Sequence, residues 1–161
     1  MAGKLDDLDR RILRELQSDA MISIAELSAR VRLSQTPCWK RIQKLEGAGI
    51  ITGRVALVAQ EAIGLGLTVL VAIEAGAHSD DWLLRFTEAV SAMPEVVDLY
   101  RMAGDVDYEL RVVVSNMDAY DGFYRKLISQ VPLRNVTSRF VMERIKSTTA
   151  LPIRLEREVA T

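Results

Sequence analysis

Between residues 30 and 54 six cations, Arg30, Arg32, Lys40, Arg41, Lys44 and Arg54, stand against a single acid, Glu46. Such a local excess suits a polyanion such as DNA. Ser34, Gln35, Thr36, Trp39 and Gln43 lie among these cations. Gln and Lys side chains can meet base edges in a major groove, while Arg32, Arg41, Lys44 and Arg54 can neutralise phosphates. Phosphate contacts would make binding steeply dependent on salt. The net charge of −1 hides this asymmetry: residues 1–60 carry ten Lys/Arg against seven Asp/Glu, and the remainder eleven against fifteen.

Other chemistries find few residues to work with. The single cysteine, Cys38, excludes an internal disulfide, and with one histidine, His78, a Cys/His zinc site within the chain has too few ligands. His78 reads as a solvated loop residue and Cys38 as a small apolar packing group. No glycine-rich phosphate loop, nucleophile elbow or paired metal-binding histidines occur. The expectation is therefore a protein that is not an enzyme and uses no metal or cofactor. Its 161 residues, 49% apolar and 27% charged, suffice for one good core or two small ones. No stretch approaches the roughly 18 apolar residues of a membrane span, and the opening MAGKLDDLDRR lacks the apolar core of a secretory signal. A cytoplasmic protein with no membrane partner is expected.

The elements that must position the basic residues follow from periodicity. Leu5, Leu8, Ile12, Leu13 and Leu16 mark one face of a first helix, with Arg10, Arg11 and Arg14 outside. Ser23 and Glu26 read as a capping box opening a second helix that ends near Arg30. Ser34 is placed to cap a third helix, and Pro37 sits in its first turn, where a missing amide hydrogen costs little. Cys38, Ile42 and Leu45 form its inward stripe; Gln35, Thr36, Trp39, Lys40, Gln43 and Lys44 lie away from it. Two short helices joined by the tight 31–33 connection describe a helix-turn-helix, with residues 50–55 expected as a wing strand. The same spacing also suits a plain three-helix bundle with a solvated basic face. Trp39 has two readings of equal weight: stacking on a sugar or thymine methyl, or packing on the second domain or a partner helix.

Beyond a connector at 60–66, residues 67–73 form a branched apolar run of strand type. Ser79 or Asp80 can cap a helix bearing Trp82, Leu83, Phe86, Val90 and Met93, which Pro94 ends. Residues 96–102 and 108–114 read as strands around a hairpin turn at 103–107. A helix over about 118–130, with Tyr120, Phe123, Leu127 and Ile128 inward, and a strand over 136–146 complete the order βαββαβ. That order gives a ferredoxin-like antiparallel sheet with both helices on one face. The predicted class is α+β, with a winged helix-turn-helix domain over 1–60 and a ferredoxin-like domain over 61–161.

The first strand is apolar at successive positions, and Tyr100 and Met102 are expected on the opposite side of the second strand from Val97 and Leu99. Both sheet faces then want burial, and a second copy would supply the cover. At about 25 cal/mol per Å² a shared patch of several hundred Å² favours a homodimer. The hairpin tip Gly104-Asp105-Val106-Asp107 puts amides beside two carboxylates, groups suited to the two ends of an amino acid. Taken alone it reads more readily as a merely structural turn.

Taken together, the chain resembles the Lrp/AsnC, or feast/famine, transcriptional regulators over nearly its whole length. The resemblance rests on Leu8-Asp9-Arg10-Arg11-Ile12-Leu13, on Leu33-Ser34-Gln35-Thr36-Pro37-Cys38-Trp39-Lys40-Arg41-Ile42, on the exit from Leu45-Glu46 to Gly49-Ile50-Ile51-Thr52-Gly53, and on Gly104-Asp105-Val106-Asp107-Tyr108. It implies a DNA-binding regulator, nucleoid-associated, whose dimers form through the sheets and assemble into tetramers or octamers. It also implies an amino-acid effector between dimers, held by Met102, Ala103, Gly104, Asp107 and Tyr108 of one and by Thr137, Ser138 and Phe140 of a neighbour. Met102 and Met117 would line that cleft; Met93 and Met142 read as core or interface filling. Two positions depart from the family: many relatives have glycine where Arg32 and Leu133 stand. Residues 36–41 together with 101–104 are similar to a branch associated with cysteine, which makes cysteine the expected effector. Two alternatives are an architectural DNA-compacting protein without effector, and a small enzyme or enzyme-regulating subunit built on the ferredoxin-like domain.

Overall fold

The computed structural model describes residues 5–77 and 79–155; His78, expected as a loop residue, lies outside them. The described chain divides into two compact units, one of residues 5–56 and 146–155 and one of Leu57–Ile145.

Three helices build the first unit: α1 (Asp7–Ser18), α2 (Ile24–Val31) and α3 (Gln35–Gly47). Each begins at a polar residue, and the caps of α2 and α3 differ from their sequence readings. Asp6 accepts the Asp9 amide at 2.8 Å and Asp9 accepts the Asp6 amide at 3.4 Å, a reciprocal box made of two acids. Ser23 accepts the Glu26 amide at 3.1 Å, but Glu26 takes Arg30 at 2.6 Å, so only half of the expected box forms. Ser34 stands at the N-cap of α3 without a side-chain bond. Pro37, three residues on, has no amide hydrogen to give it.

Ile12, Leu13, Leu27, Val31, Cys38, Ile42 and Leu45 close the core of this unit. The stretch from residue 146 belongs here, whereas the sequence reading gave everything past 61 to the second domain. Gln17 and Leu151 exchange two hydrogen bonds, at 2.6 and 3.2 Å, and Ile153 packs on the core. These are single side-chain contacts with no periodicity to announce them. Residues 50–55 form no strand. The Ile50 and Ile51 amides instead turn back to the Leu45 carbonyl at 2.9 and 3.2 Å and close α3.

The second unit runs β1 (Leu67–Ala75), α4 (Asp80–Ser91), β2 (Val96–Arg101), β3 (Tyr108–Val114), α5 (Met117–Gln130) and β4 (Leu133–Phe140). The sheet is antiparallel throughout in the order β2-β3-β1-β4, the ferredoxin-like arrangement expected. Val69, Val71 and Ile73 alternate inward with Leu110, Val112 and Val114 against Phe86 and Val90 of α4 and Phe123 and Leu127 of α5. β4 ends at Phe140 rather than 146, since its pairing with β1 stops at Val69. Ile128, expected inward, is exposed, a turn of about 100° past the buried Leu127.

The outer face of the sheet is more polar than the sequence reading. A register shift between Val96 and Asp98 leaves Val97 exposed, so it no longer shares a side with Leu99, which packs on the core. Asp98 pairs with Arg111, Glu109 with Arg139 at 3.7 Å, and Asn135 donates to Glu74 at 3.0 Å. Leu70, Ala72 and Val113 run between these polar groups as an apolar strip, by strand alternation. No helix among the described residues is long and apolar enough to cross a membrane.

Candidate nucleic-acid interface and effector hairpin

With Cys38, Ile42 and Leu45 buried, the helical period turns the opposite side of α3 outward. Ser34, Gln35, Thr36, Trp39, Lys40, Gln43 and Lys44 are all exposed there. Trp39 keeps 49% of its surface open. Gln43 rests on Glu46 at 3.0 Å. This surface offers amide and hydroxyl groups and two ammonium groups on a convex rod, the arrangement that enters a major groove.

Two cations expected to meet phosphate are turned elsewhere. Arg41 Nη1 donates to Asp9 at 2.6 Å and to Asp6 at 2.7 Å, which ties α3 to the start of α1. Hydrogen bonds to Asp9 and Asp6 outweigh desolvation and hold the Arg41 proton more firmly than usual. Burial works against ionised Asp6, but the Asp9 amide and the Arg41 guanidinium prevail and hold its carboxyl below the ordinary value of 3.8. Arg54 Nη2 lies 2.9 Å from Glu46. Asp6 and Asp9 were missed as site residues; the only signal was their three-residue spacing, which reads as a cap and carries no hint of a partner on another helix. Arg32 caps α2 with φ 58°, the only positive φ outside glycine among the described residues. Burial raises the Cys38 thiol, in keeping with a packing role.

The β2–β3 hairpin is stitched to the end of β1. Met102 donates its amide to the Asp107 carbonyl at 2.8 Å, and the Asp107 amide donates to Ile73 at 3.0 Å. Asp107 Oδ2 accepts the Ala75 amide at 2.7 Å. Next in sequence, Gly76 passes so close to Pro132 that a Cβ would lie 2.7 Å from its carbonyl oxygen. That carbonyl accepts the Trp82 indole N–H at 2.8 Å. Met102, Ala103 and Gly104 are exposed, whereas Tyr108 is buried, its ring 4.7 Å from Phe86 and 6.0 Å from Trp82.

β4 distributes its three candidate residues over both faces. Thr137 pairs with Ala72 on the outer face, while Ser138 and Phe140 point toward the helices. Ser138 Oγ is hydrogen-bonded to the Tyr120 hydroxyl, and Phe140 meets the same ring edge-on at 5.3 Å. Burial, partly opposed by the Ser138 bond, raises the Tyr120 phenol. Within one chain, Thr137 therefore lies on the opposite face of the edge strand β4 from Ser138 and Phe140. Tyr120, read from sequence only as a core residue, links β4 to α5. No group of metal-ligating side chains occurs among the described residues.

Residues 5–46 match the AsnC-type helix-turn-helix domain, and residues 68–151 match the Lrp/AsnC ligand binding domain. The chain belongs to the Lrp/AsnC family of transcriptional regulators. Among its relatives is the DNA-binding transcriptional activator DecR of Escherichia coli K12, 51% identical over 150 residues that span 92% of this chain and 99% of the relative. The crystal structure of an AsnC family transcriptional regulator from Agrobacterium tumefaciens superposes with a TM-score of 0.89 at 53% identity, covering 92% of this chain and 97% of that one. A transcriptional regulator from Neisseria meningitidis in complex with L-methionine gives the same TM-score and coverage at 35% identity.

Proposed function

We propose that this chain is a sequence-specific DNA-binding regulator of transcription whose assembly and operator binding respond to a small amino acid. The observation that carries the reading is the uncovered hydrophilic side of α3, where Gln35, Thr36, Lys40, Gln43 and Lys44 share one exposed face over a closed core. Gln35, Thr36 and Gln43 read base edges, Lys40 and Lys44 meet phosphates, and Ser34 and Trp39 flank the contact. Arg41 acts from behind by fixing the pitch of α3 through Asp9 and Asp6. Arg54 reaches a phosphate only by leaving Glu46. The Escherichia coli relative, a DNA-binding transcriptional activator, supports the same reading.

The effector is an amino acid, as the methionine complex of the Neisseria protein supports. It lies between dimers, with exposed Met102, Ala103 and Gly104 from one dimer and Thr137 from its neighbour in contact. Asp107, Tyr108, Ser138 and Phe140 hold these contact residues in place through the hydrogen bonds and ring packing described above. Cysteine is the first amino acid to try, on the similarity of residues 36–41 and 101–104. Homodimers form through the outer sheet faces and assemble into tetramers or octamers, and the protein works on the nucleoid in the cytoplasm. An effector changes the favoured assembly only by binding one more tightly than another.

Selection of bound fragments from genomic DNA, followed by titration of each of the twenty amino acids against operator affinity and particle size, tests this. At least one amino acid should shift both quantities. Operator binding without any response points to the architectural alternative, and absence of affinity for any duplex at low salt overturns the DNA reading.

A further inference from the structure

We propose that the cleft between α1 and the C-terminal end of α2 is an anion site of its own, built for phosphate groups and separate from the reading face of α3. The cleft has a volume of about 410 Å³ and is lined by Arg11, Arg14, Glu15, Arg30, Val31 and Arg32. No residue of α3 takes part. Four arginines thus line a space of the size that holds a small ligand.

The positions follow from helix geometry. Arg11 and Arg14, three apart, stand one above the other on α1. Arg30 belongs to the last turn of α2, and its fork is held by Glu15 at 2.9 Å and Glu26 at 2.6 Å. These two carboxylates are outnumbered by the four arginines, so the wall keeps a net positive charge. Val31 is the sole apolar residue of the lining, so charge and directed hydrogen bonds, rather than ring stacking, select the ligand. The planar fork of arginine matches phosphate oxygens two at a time.

Arg32 adds an independent observation. It occupies the left-handed region at φ 58°, where glycine is at ease and a Cβ crowds the carbonyl oxygen. Arg32 nevertheless stands here and lines the cleft, so the position carries a cation where glycine would sit more easily. The phosphates come either from a duplex backbone running past the reading face or from a free diphosphate; the chemistry is the same, and the test separates the sources.

Titration of the intact protein with inorganic pyrophosphate at low salt, followed by calorimetry, is compared for wild type, R11Q/R14Q and K40Q/K44Q, with circular dichroism verifying that each is folded. The expected result is binding that weakens about tenfold or more in R11Q/R14Q and stays within about twofold in K40Q/K44Q. A parallel measurement of duplex affinity against salt assigns the source. If R11Q/R14Q also lowers the salt slope by about two, the ligand is DNA backbone; if the slope holds while pyrophosphate binding falls, it is a free phosphate ester. The proposal is overturned if pyrophosphate binds wild type and R11Q/R14Q alike, or not at all, and the duplex slope is the same in both. R32G should weaken pyrophosphate binding as well; undiminished binding removes Arg32 from the site.

Discussion

Arg41 Nη1 lies 2.6 Å from Oδ1 of Asp9, a side chain of which only 2% is exposed. A cation on the flank of the reading helix is thereby turned inward and becomes the fastener between α3 and α1. R41Q strands a buried carboxylate, and we expect it to cost about 2–3 kcal/mol of stability. D9N and R41Q combined should cost less than the two separate losses added, by at least about 1 kcal/mol. Urea unfolding followed by far-UV circular dichroism measures all three; additive losses would show that the pair is not coupled.

The pH dependence of Asp6 follows from its depressed carboxyl. A carboxylate titrating below its unfolded value of 3.8 contributes stability that is present above that value and lost as pH falls through the folded one. Asp6 is about half exposed, so its effect is screened, under about 1 kcal/mol. D6N should therefore be slightly less stable than wild type at pH 7, and the gap should be smaller at about pH 3. Unfolding midpoints at the two pH values decide this.

Relieving the turn at Arg32 should stabilise the helix-turn-helix. Arg32 stands at φ 58°, and glycine adopts that conformation without the Cβ clash. R32G is expected to gain about 0.5–1 kcal/mol, read as a rise of a few degrees in Tm. A fall in Tm would mean that the arginine side chain contributes more to the fold than its backbone costs.

At the hairpin, D107A removes the acceptor of the Ala75 amide and should cost about 1–2 kcal/mol, leaving the second unit folded around its aromatic core. The assembly should persist in size measurements, while its response to the effector disappears. A full response in D107A would exclude Asp107 from holding the hairpin in its binding shape.

What could be read from the bare chain was what depends on neighbours in sequence. The stripes of α1 and α3, the start of α4 at Ser79 or Asp80 and the βαββαβ order all follow from local spacing and turn chemistry. Choices of partner made in three dimensions were not readable. Arg41 could have faced phosphate as readily as Asp9, and nothing in residues 146–155 announces that Leu151 bonds Gln17. Ser34 failed as a cap because the expected donor was Pro37, a conflict visible in the sequence once both residues are counted together. The wing failed because a strand needs a partner, and the Ile50 and Ile51 amides are spent on Leu45.

The reading face of α3 is the centre of the account, and Lys40 and Lys44 are its exposed cations. Fluorescence anisotropy of a selected operator duplex, measured from low to physiological salt with wild type and K40Q/K44Q, tests it most directly. Loss of two phosphate contacts should lower the slope of log affinity against log salt by about two for each helix bound, with Tm unchanged. An operator affinity and salt slope identical to wild type would contradict the assignment of α3 as the element that meets DNA.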